Sequence, residues 1–218
     1  MIKFCVVFDF DGVVIHSKEV QRKAFTESCK ILQCDGNPSF EEFLSHSGNS
    51  LPAIFEKMNL PREMVELYQK ISRENIHQIT IAPGMKKLLL KLKTEGFFCG
   101  LCTGKDRLRT IEILKFLNLY DYFDCIVCSD DVVEPKPAPE SLMKLLNELD
   151  ISYSNAAMVG DAVNDILCAQ SLSVTSIAVG WGDGLKRDIL EVNPHFFVDN
   201  IEELESCIDS LVLPEING

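Results

Sequence analysis

Hydrophobic and polar positions follow two different rhythms along the chain. Residues 2–10 form a β-branched and aromatic run that ends in acidic residues, which predicts a buried first strand. Between residues 17 and 79 the apolar positions instead recur at spacings of three and four, as at Phe25, Cys29 and Leu32. This spacing, with no convincing strand inside it, predicts a run of amphipathic helices.

The rhythm changes after Pro83 and Gly84, where helical and strand patterns alternate. Because strands that alternate with helices of this length imply right-handed crossovers, the pattern predicts a parallel sheet. The expected fold is therefore α/β, with a Rossmann-like core and a helical insertion after the first strand. Ligands of such sheets bind beyond the carboxyl ends of the strands. The predicted strands after this point cover residues 97–102, 125–128, 156–159, 175–179 and 196–198. One predicted helix ends at Gly96, and three others cover residues 107–117, 139–149 and 165–172.

The composition is that of an ordinary globular protein, with 46% hydrophobic and 25% charged residues among 218 positions. Its formal net charge of -12 argues against binding to nucleic acid or to an anionic membrane. No apolar stretch reaches the ~18 residues of a membrane span. The N-terminal apolar run also reaches acidic residues before it is long enough to complete a signal-peptide pattern. We therefore expect a cytoplasmic protein in which an anionic substrate needs local positive charge.

Nine cysteines include two pairs with C-x-x-C spacing, Cys99 with Cys102 and Cys125 with Cys128, and this spacing invites a four-cysteine zinc interpretation. Each pair, however, lies in an apolar run that is predicted to be a strand. Residues three apart on a strand point to opposite faces and cannot bind one ion together. Buried core cysteines are therefore the favoured interpretation.

Acidic residues follow the first predicted strand directly, as Asp9, Asp11 and Gly12. Asp and Gly are common in turns, which is the alternative. The period of two nevertheless places both carboxylates on one side of the strand, and uncompensated buried charge costs several kcal/mol, which implies a nearby cation. The next strand ends in Thr103 and Gly104, which could bind phosphate oxygens or simply cap a helix.

Two further strand ends carry charged residues. Lys136 stands between two prolines, which would fix its ammonium near developing negative charge, although a proline-rich surface turn is the alternative. Asp161 and Asp165 are four positions apart and would share a helix face, although an acid at a helix N-terminus also serves the helix dipole. Hard oxygen ligands of this kind suit Mg²⁺ better than zinc.

In this order and at successive strand ends, these motifs resemble the signature motifs of the haloacid dehalogenase superfamily. The resemblance covers almost the whole chain and is strongest to the phosphoglycolate phosphatase and β-phosphoglucomutase-like branch. It implies a core of residues 1–16 and 80–218 and a helical cap of the C1 type at residues 17–79. The implied reaction is Mg²⁺-dependent hydrolysis of a small-molecule phosphate monoester through an aspartyl-phosphate.

The resemblance also assigns roles to residues. Asp9 is the expected nucleophile, and Asp11 is the expected general acid and base, with its backbone carbonyl on the metal. Asp9 is also expected at the metal site, where Asp161 would bind Mg²⁺ directly and Asp165 through a bound water. The list of phosphate-binding positions comprises Gly12, Thr103, Gly104 and Lys136.

The substrate pocket is less defined by the sequence. His16 stands where the family often has aspartate, and it could contact substrate or cap a helix facing solvent. Gly48, Asn49 and Arg73 are further candidates for cap contacts. A phosphomutase acting on sugar phosphates is the runner-up function, although no arginine occurs between Arg22 and Arg62 to grip a second phosphate. A non-catalytic Mg²⁺-binding or phosphate-binding module is a third possibility, and the oligomeric state is not predicted.

Overall fold

A computed structural model describes residues 3–36, 38–47 and 49–212 of the protein. Its main element is a six-stranded sheet in which every pair of neighbouring strands is parallel. The strands are β1 (Cys5–Phe8), β4 (Phe98–Cys102), β5 (Cys125–Val127), β6 (Ala156–Gly160), β7 (Thr175–Val179) and β8 (Phe196–Val198). Their order is β5-β4-β1-β6-β7-β8. The predicted α/β fold with a Rossmann-like parallel sheet is thereby confirmed.

The sheet positions the site because β1 lies at its centre, between β4 and β6. The chain first runs outward on one side through β4 and β5 and then crosses back to β6 on the other. The carboxyl ends of β1, β4 and β6 therefore meet at a topological switch point, which is where such sheets bind ligands.

Helices connect the strands and cover the sheet. They are α5 (Met85–Glu95), α6 (Arg107–Phe116), α7 (Glu140–Glu148), α8 (Val163–Ser171), α9 (Lys186–Glu191) and α10 (Ile201–Val212). The bounds of α5, α6, α7 and α8 agree with those of the predicted helices to within about two residues. The sequence patterns did not identify α9 and α10.

The described residues between β1 and α5 form four α-helices: α1 (Lys18–Leu32), α2 (Phe40–Ser45), α3 (Leu51–Lys57) and α4 (Glu63–Glu74). Their apolar faces form a cluster of buried residues that lie between Ala24 and Ile71 and that is distinct from the clusters on the sheet. Two short strands, β2 (Ile15–His16) and β3 (Thr80–Ile81), pair antiparallel where this segment leaves and rejoins the sheet. This small pairing was not predicted.

Alternating side chains of β1 enter different hydrophobic clusters, Val6 and Phe8 on one face of the sheet and Cys5 and Val7 on the other. The side chains of Cys99 and Cys102 likewise lie on opposite faces of the sheet, as their spacing predicts. All nine cysteines are free thiols. Among the described residues, no group of four cysteines forms a zinc site. The same residues contain no helix that is both long and apolar enough to cross a membrane.

Candidate active site

Asp9 follows β1 directly and is 7% exposed. Its backbone N–H donates to the carbonyl of Val159 at 2.9 Å, so the residue is still fixed to the sheet. Its Oδ1 accepts a hydrogen bond from Lys136, and its Oδ2 has no hydrogen-bond partner among the described residues. One carboxylate oxygen is therefore anchored and the other is available at the cavity that Asp9 lines.

The ammonium of Lys136 is the main counter-charge of the site and is 1% exposed. Its Nζ donates to Asp9 Oδ1 at 2.7 Å, to Asp165 Oδ1 at 2.5 Å and to the carbonyl oxygen of Cys102 at 3.0 Å. These bonds use all three donors of an ammonium group. The proline-spaced segment thus delivers the lysine to the inside of the protein, not to a surface turn.

The charges of this group are not balanced without a further cation. Burial lowers the pKa of Lys136, but the neighbouring Asp165 and Asp9 outweigh burial and hold that pKa well above its usual value. Burial raises the pKa of Asp9 to about 7, with a further contribution from Asp165 and in opposition to Lys136. Burial, Asp9 and Asp165 together also raise the pKa of Asp161 well above its usual value. The three carboxylates exceed the single ammonium, and this excess favours a bound cation.

The geometry of these acids fits a small divalent cation. Asp9, Asp161 and Asp165 each offer a carboxylate oxygen, and these oxygens all lie within 4.8 Å of one another. The backbone N–H of Asp183 donates to Asp161 Oδ2 at 2.6 Å and orients that carboxylate. Because the donor set consists of hard oxygens, the residues present fit Mg²⁺.

Glycines allow the backbone to approach Asp161 closely. A Cβ at Gly12 would lie 2.2 Å from Asp161 Oδ2, and one at Gly182 would lie 2.2 Å from its Cβ. A Cβ at Gly184 would lie only 1.9 Å from its carbonyl oxygen. The carboxylate of Asp161 is therefore enclosed by backbone that tolerates no side chain at these positions.

Asp11 is held by groups that the sequence did not indicate. Ser17 Oγ donates to Asp11 Oδ1 at 2.5 Å, and Gln21 Nε2 in turn donates to Ser17 Oγ at 2.7 Å. Lys105 Nζ lies 3.0 Å from Asp11 Oδ2. The basic residue two positions after Thr103 was the available signal for Lys105, whereas nothing local marks Ser17 or Gln21.

The second strand end supplies neutral polar groups beside the acids. Thr103 is 4% exposed, and its backbone N–H donates to the carbonyl of Val127 at 3.0 Å. Its Oγ1 accepts from the backbone N–H of Lys105 at 3.2 Å. Thr103 and Gly104 line the same cavity as Asp9 and Asp11, so β1 and β4 bring carboxylates and a hydroxyl to one place.

The cavity above these groups has a volume of about 80 Å³. Its far wall comes from the helical segment and is largely apolar, with Phe43, Leu51, Ile54 and Tyr68. The four helices thus cover the carboxyl ends of the strands.

The candidate pocket residues are placed differently from one another. Asn49 lines the cavity, but its side chain already bonds the carbonyl of His46 and the ammonium of Lys57.

His16 pairs with Thr80 in the small antiparallel pairing and does not belong to the described cavity lining. The Arg73 guanidinium is engaged by Glu112, also outside that lining. Gly48 lies outside the described residues.

Helices α4 and α6 face each other across the edge of the cavity through polar pairs. Gln69 Nε2 donates to Asp106 Oδ2 at 3.0 Å, and Arg109 Nη2 donates to Ser72 Oγ at 2.9 Å. Arg73 Nε donates to Glu112 Oε1 at 3.1 Å. The helical segment is thus closed onto the sheet by polar contacts.

Comparison with known proteins agrees with the motifs. Residues 6–179 match the haloacid dehalogenase-like hydrolase family. The pyrophosphatase PpaX of Bacillus cereus (strain B4264) is 30% identical over 210 residues, which cover 94% of this chain and 96% of the relative. The pyrophosphatase PpaX of Bacillus pumilus (strain SAFR-032) is 30% identical over 207 residues, which cover 93% of this chain and 95% of the relative.

Solved structures show the same fold. A hydrolase from Pseudomonas syringae matches with a TM-score of 0.85 at 20% identity, covering 95% of this chain and 98% of that chain. A predicted phosphoglycolate phosphatase from Haemophilus somnus 129pt matches with a TM-score of 0.82 at 18% identity, covering 94% and 97%. The resemblance indicated by the four strand-end motifs is thereby confirmed, and the chain belongs to the haloacid dehalogenase-like hydrolase family.

Proposed function

We propose that the protein is a Mg²⁺-dependent phosphatase that hydrolyses a small-molecule phosphate monoester through an aspartyl-phosphate on Asp9. The observation that carries this proposal is the arrangement at Asp9, where Lys136 anchors one carboxylate oxygen and the other has no partner among the described residues. An anchored carboxylate with a free oxygen at a cavity is suited to nucleophilic attack.

Asp9, Asp161 and Asp165 would hold the metal ion, together with the backbone carbonyl of Asp11. When bound, Mg²⁺ would neutralise phosphoryl oxygens and offset the excess of carboxylates. Asp165 already accepts from Lys136 Nζ and, at 3.1 Å, from the backbone N–H of Ala162, which supports contact with the ion through water.

In the first step, the free oxygen of Asp9 forms a bond to phosphorus while the bond from phosphorus to the leaving oxygen breaks. Protonated Asp11 gives its proton to that leaving oxygen. In the second step, Asp11 takes a proton from water as the water oxygen forms a bond to phosphorus. The bond between phosphorus and the Asp9 oxygen breaks, which releases inorganic phosphate and restores the Asp9 carboxylate. Ser17 and Lys105 keep the Asp11 carboxylate in place for both transfers.

The remaining groups bind and shield the phosphoryl group. Lys136 stays protonated and fixes Asp9, while Thr103 and the N–H of Gly104 are placed to donate to phosphoryl oxygens. Residues 17–79 act as a cap over the cavity, and their apolar wall excludes bulk water from the intermediate.

A panel of phosphate compounds tests the proposal. Release of inorganic phosphate is measured with p-nitrophenyl phosphate, phosphoglycolate, sugar phosphates, nucleoside monophosphates and inorganic pyrophosphate, with Mg²⁺ and with a chelator. Pyrophosphate is included because the relatives named above are pyrophosphatases. We expect turnover only with Mg²⁺, and absence of turnover on every compound would refute the proposal. Accumulation of an isomer from a sugar 1-phosphate, without phosphate release, would instead indicate a mutase.

A further inference from the structure

Arg109 occupies a position that helix stability does not explain. It is the third residue of α6, it is 3% exposed, and it lines the cavity above Asp9. A cation in the first turn faces the positive end of the helix dipole. Burying a guanidinium is also costly unless it is fully paired. Such a residue in a cavity wall is a candidate for ligand binding.

The guanidinium is only partly neutralised by its neighbours. Nη1 donates to Glu112 Oε2 at 2.8 Å and Nη2 to Ser72 Oγ at 2.9 Å, while Nε has no hydrogen-bond partner among the described residues. Glu112 is shared, because it also accepts from Arg73. The Asp106 carboxylate nearby is engaged by the backbone N–H of Arg109 and by Gln69, not by the guanidinium.

The rest of the cavity disfavours anions away from the metal site. Its described lining contains five acids, Asp9, Asp11, Asp106, Asp161 and Asp183, and two cations, Lys105 and Arg109. Lys105 already pairs with Asp11. A negative group on the leaving-group side of a substrate would therefore find its counter-charge at Arg109.

The cavity is small and partly open to solvent. Its volume of about 80 Å³ corresponds to roughly six water molecules when each needs about 10–15 Å³. A phosphoryl group takes up part of this space. A compact substrate, with its second anion close to phosphorus, therefore suits the cavity.

We propose that Arg109 is a specificity-determining residue that binds a carboxylate or phosphate on the leaving-group side of a compact substrate with two anionic groups. This rests on the proposed phosphatase function. The guanidinium would add charge-assisted hydrogen bonds to a group that Asp9 does not attack, so it would improve binding more than the chemical step.

A purely structural role makes a different prediction. Arg109 also joins α6 to α4 through Ser72, and loss of that contact alone would weaken turnover of all substrates in parallel. Comparison of substrates that differ in the second anion separates the two roles. Phosphoglycolate and 2-hydroxyethyl phosphate are such a pair, because a carboxylate replaces a hydroxymethyl group at similar size.

The test measures kcat and KM with Mg²⁺ for wild type, Arg109→Gln, Arg109→Lys and the control Lys115→Gln, which removes a charge from the same helix outside the described cavity lining. We expect wild type to prefer phosphoglycolate or pyrophosphate to 2-hydroxyethyl phosphate. Arg109→Gln should lower kcat/KM for the bis-anions about 100-fold, mainly through KM, and change 2-hydroxyethyl phosphate by less than about threefold. Arg109→Lys should recover part of the loss, and Lys115→Gln should match wild type.

A parallel loss on all substrates in Arg109→Gln, or a wild type without preference for the second anion, would overturn the inference. A binding measurement keeps this outcome separate from failure of the phosphatase proposal. By calorimetry with Mg²⁺, wild type should bind phosphonoacetate more tightly than ethylphosphonate, and Arg109→Gln should remove the difference. Equal binding of the two compounds by wild type would refute the role of Arg109, whatever the protein hydrolyses.

Discussion

Lys136 Nζ lies 2.7 Å from Asp9 Oδ1, although 127 positions separate the two residues in the chain. The same ammonium reaches Asp165 at 2.5 Å. This contact joins the end of the first strand to the loop before α7 and to the start of α8. The charge balance of the site therefore depends on three distant parts of the sequence.

Removal of that ammonium should destabilise the fold. In Lys136→Met, Asp9 and Asp165 stay buried without their cation, and the free energy of unfolding should fall by about 3–5 kcal/mol. Urea unfolding followed by circular dichroism measures the loss. Lys144→Met, at an exposed lysine that donates to the carbonyl of Asp131, should cost less than about 1 kcal/mol. Equal losses in the two variants would contradict the structural role of Lys136.

Replacement of the nucleophile should stop turnover without unfolding the protein. Asp9→Asn should lower kcat by about 10⁴-fold or more, because the amide cannot form the aspartyl-phosphate. Asp124→Asn is the matched control, since Asp124 bonds Lys93 and the backbone of Cys99 away from the described cavity lining. Phosphate release with Mg²⁺ measures both. An Asp9→Asn variant with more than about a tenth of wild-type activity would exclude covalent catalysis at this position.

An additional methyl group beside Asp161 should displace that carboxylate. In Gly184→Ala the new Cβ would meet the carbonyl oxygen of Asp161 at 1.9 Å, and a backbone atom cannot yield as a flexible side chain can. We expect a higher Mg²⁺ concentration for half-maximal activity and a kcat at least about tenfold lower. Gly36→Ala is the control for the added methyl group, because no atom lies within 4 Å of the Cβ that this substitution would add. Since Gly36 has a positive φ, the variant should lose about 1–2 kcal/mol of stability but keep its activity.

Asp131 should stabilise the fold in a pH-dependent way. Burial acts to raise its pKa, but hydrogen bonds from Arg107 and from the N–H of Cys128 outweigh burial and hold the pKa below its ordinary value of 3.8. Because the folded pKa is depressed, the stabilisation is present above about pH 4 and is lost as the pH falls through the folded pKa. Wild type should thus have a higher urea midpoint than Asp131→Asn at pH 6, and the difference should shrink towards pH 3. A difference that does not change with pH would refute this.

The fold was predictable because its signals are local. The apolar runs that became β4 and β7 stand between helical patterns, and the faces of Cys99 and Cys102 follow from the period of a strand. The pairing of β2 with β3 was missed because two-residue strands have no detectable period. The helix α10 was missed although its buried Ile201, Leu204 and Ile208 follow helical spacing.

The site was predictable only where acids, threonine and lysine stand at strand ends. The assignment of Asp9, Asp161 and Lys136 to one place followed from the parallel sheet, since carboxyl ends meet at one edge. The contacts of Asp11 with Ser17 and Lys105, and of Arg109 with Ser72, depend on how the helical segment docks. No local pattern encodes that docking. The roles of His16 and Arg73 stay predictions.

The shared ammonium also constrains how the protein can reach its native state. A chain truncated before Lys136 would lack the ammonium that pairs with Asp9, and one truncated before Asp165 would lack a carboxylate that keeps the lysine charged. Intermediates that bury Asp9 before Lys136 is in place are therefore electrostatically penalised. We expect the core to assemble cooperatively, so that the parts of the site become ordered together with the last strands and not before them.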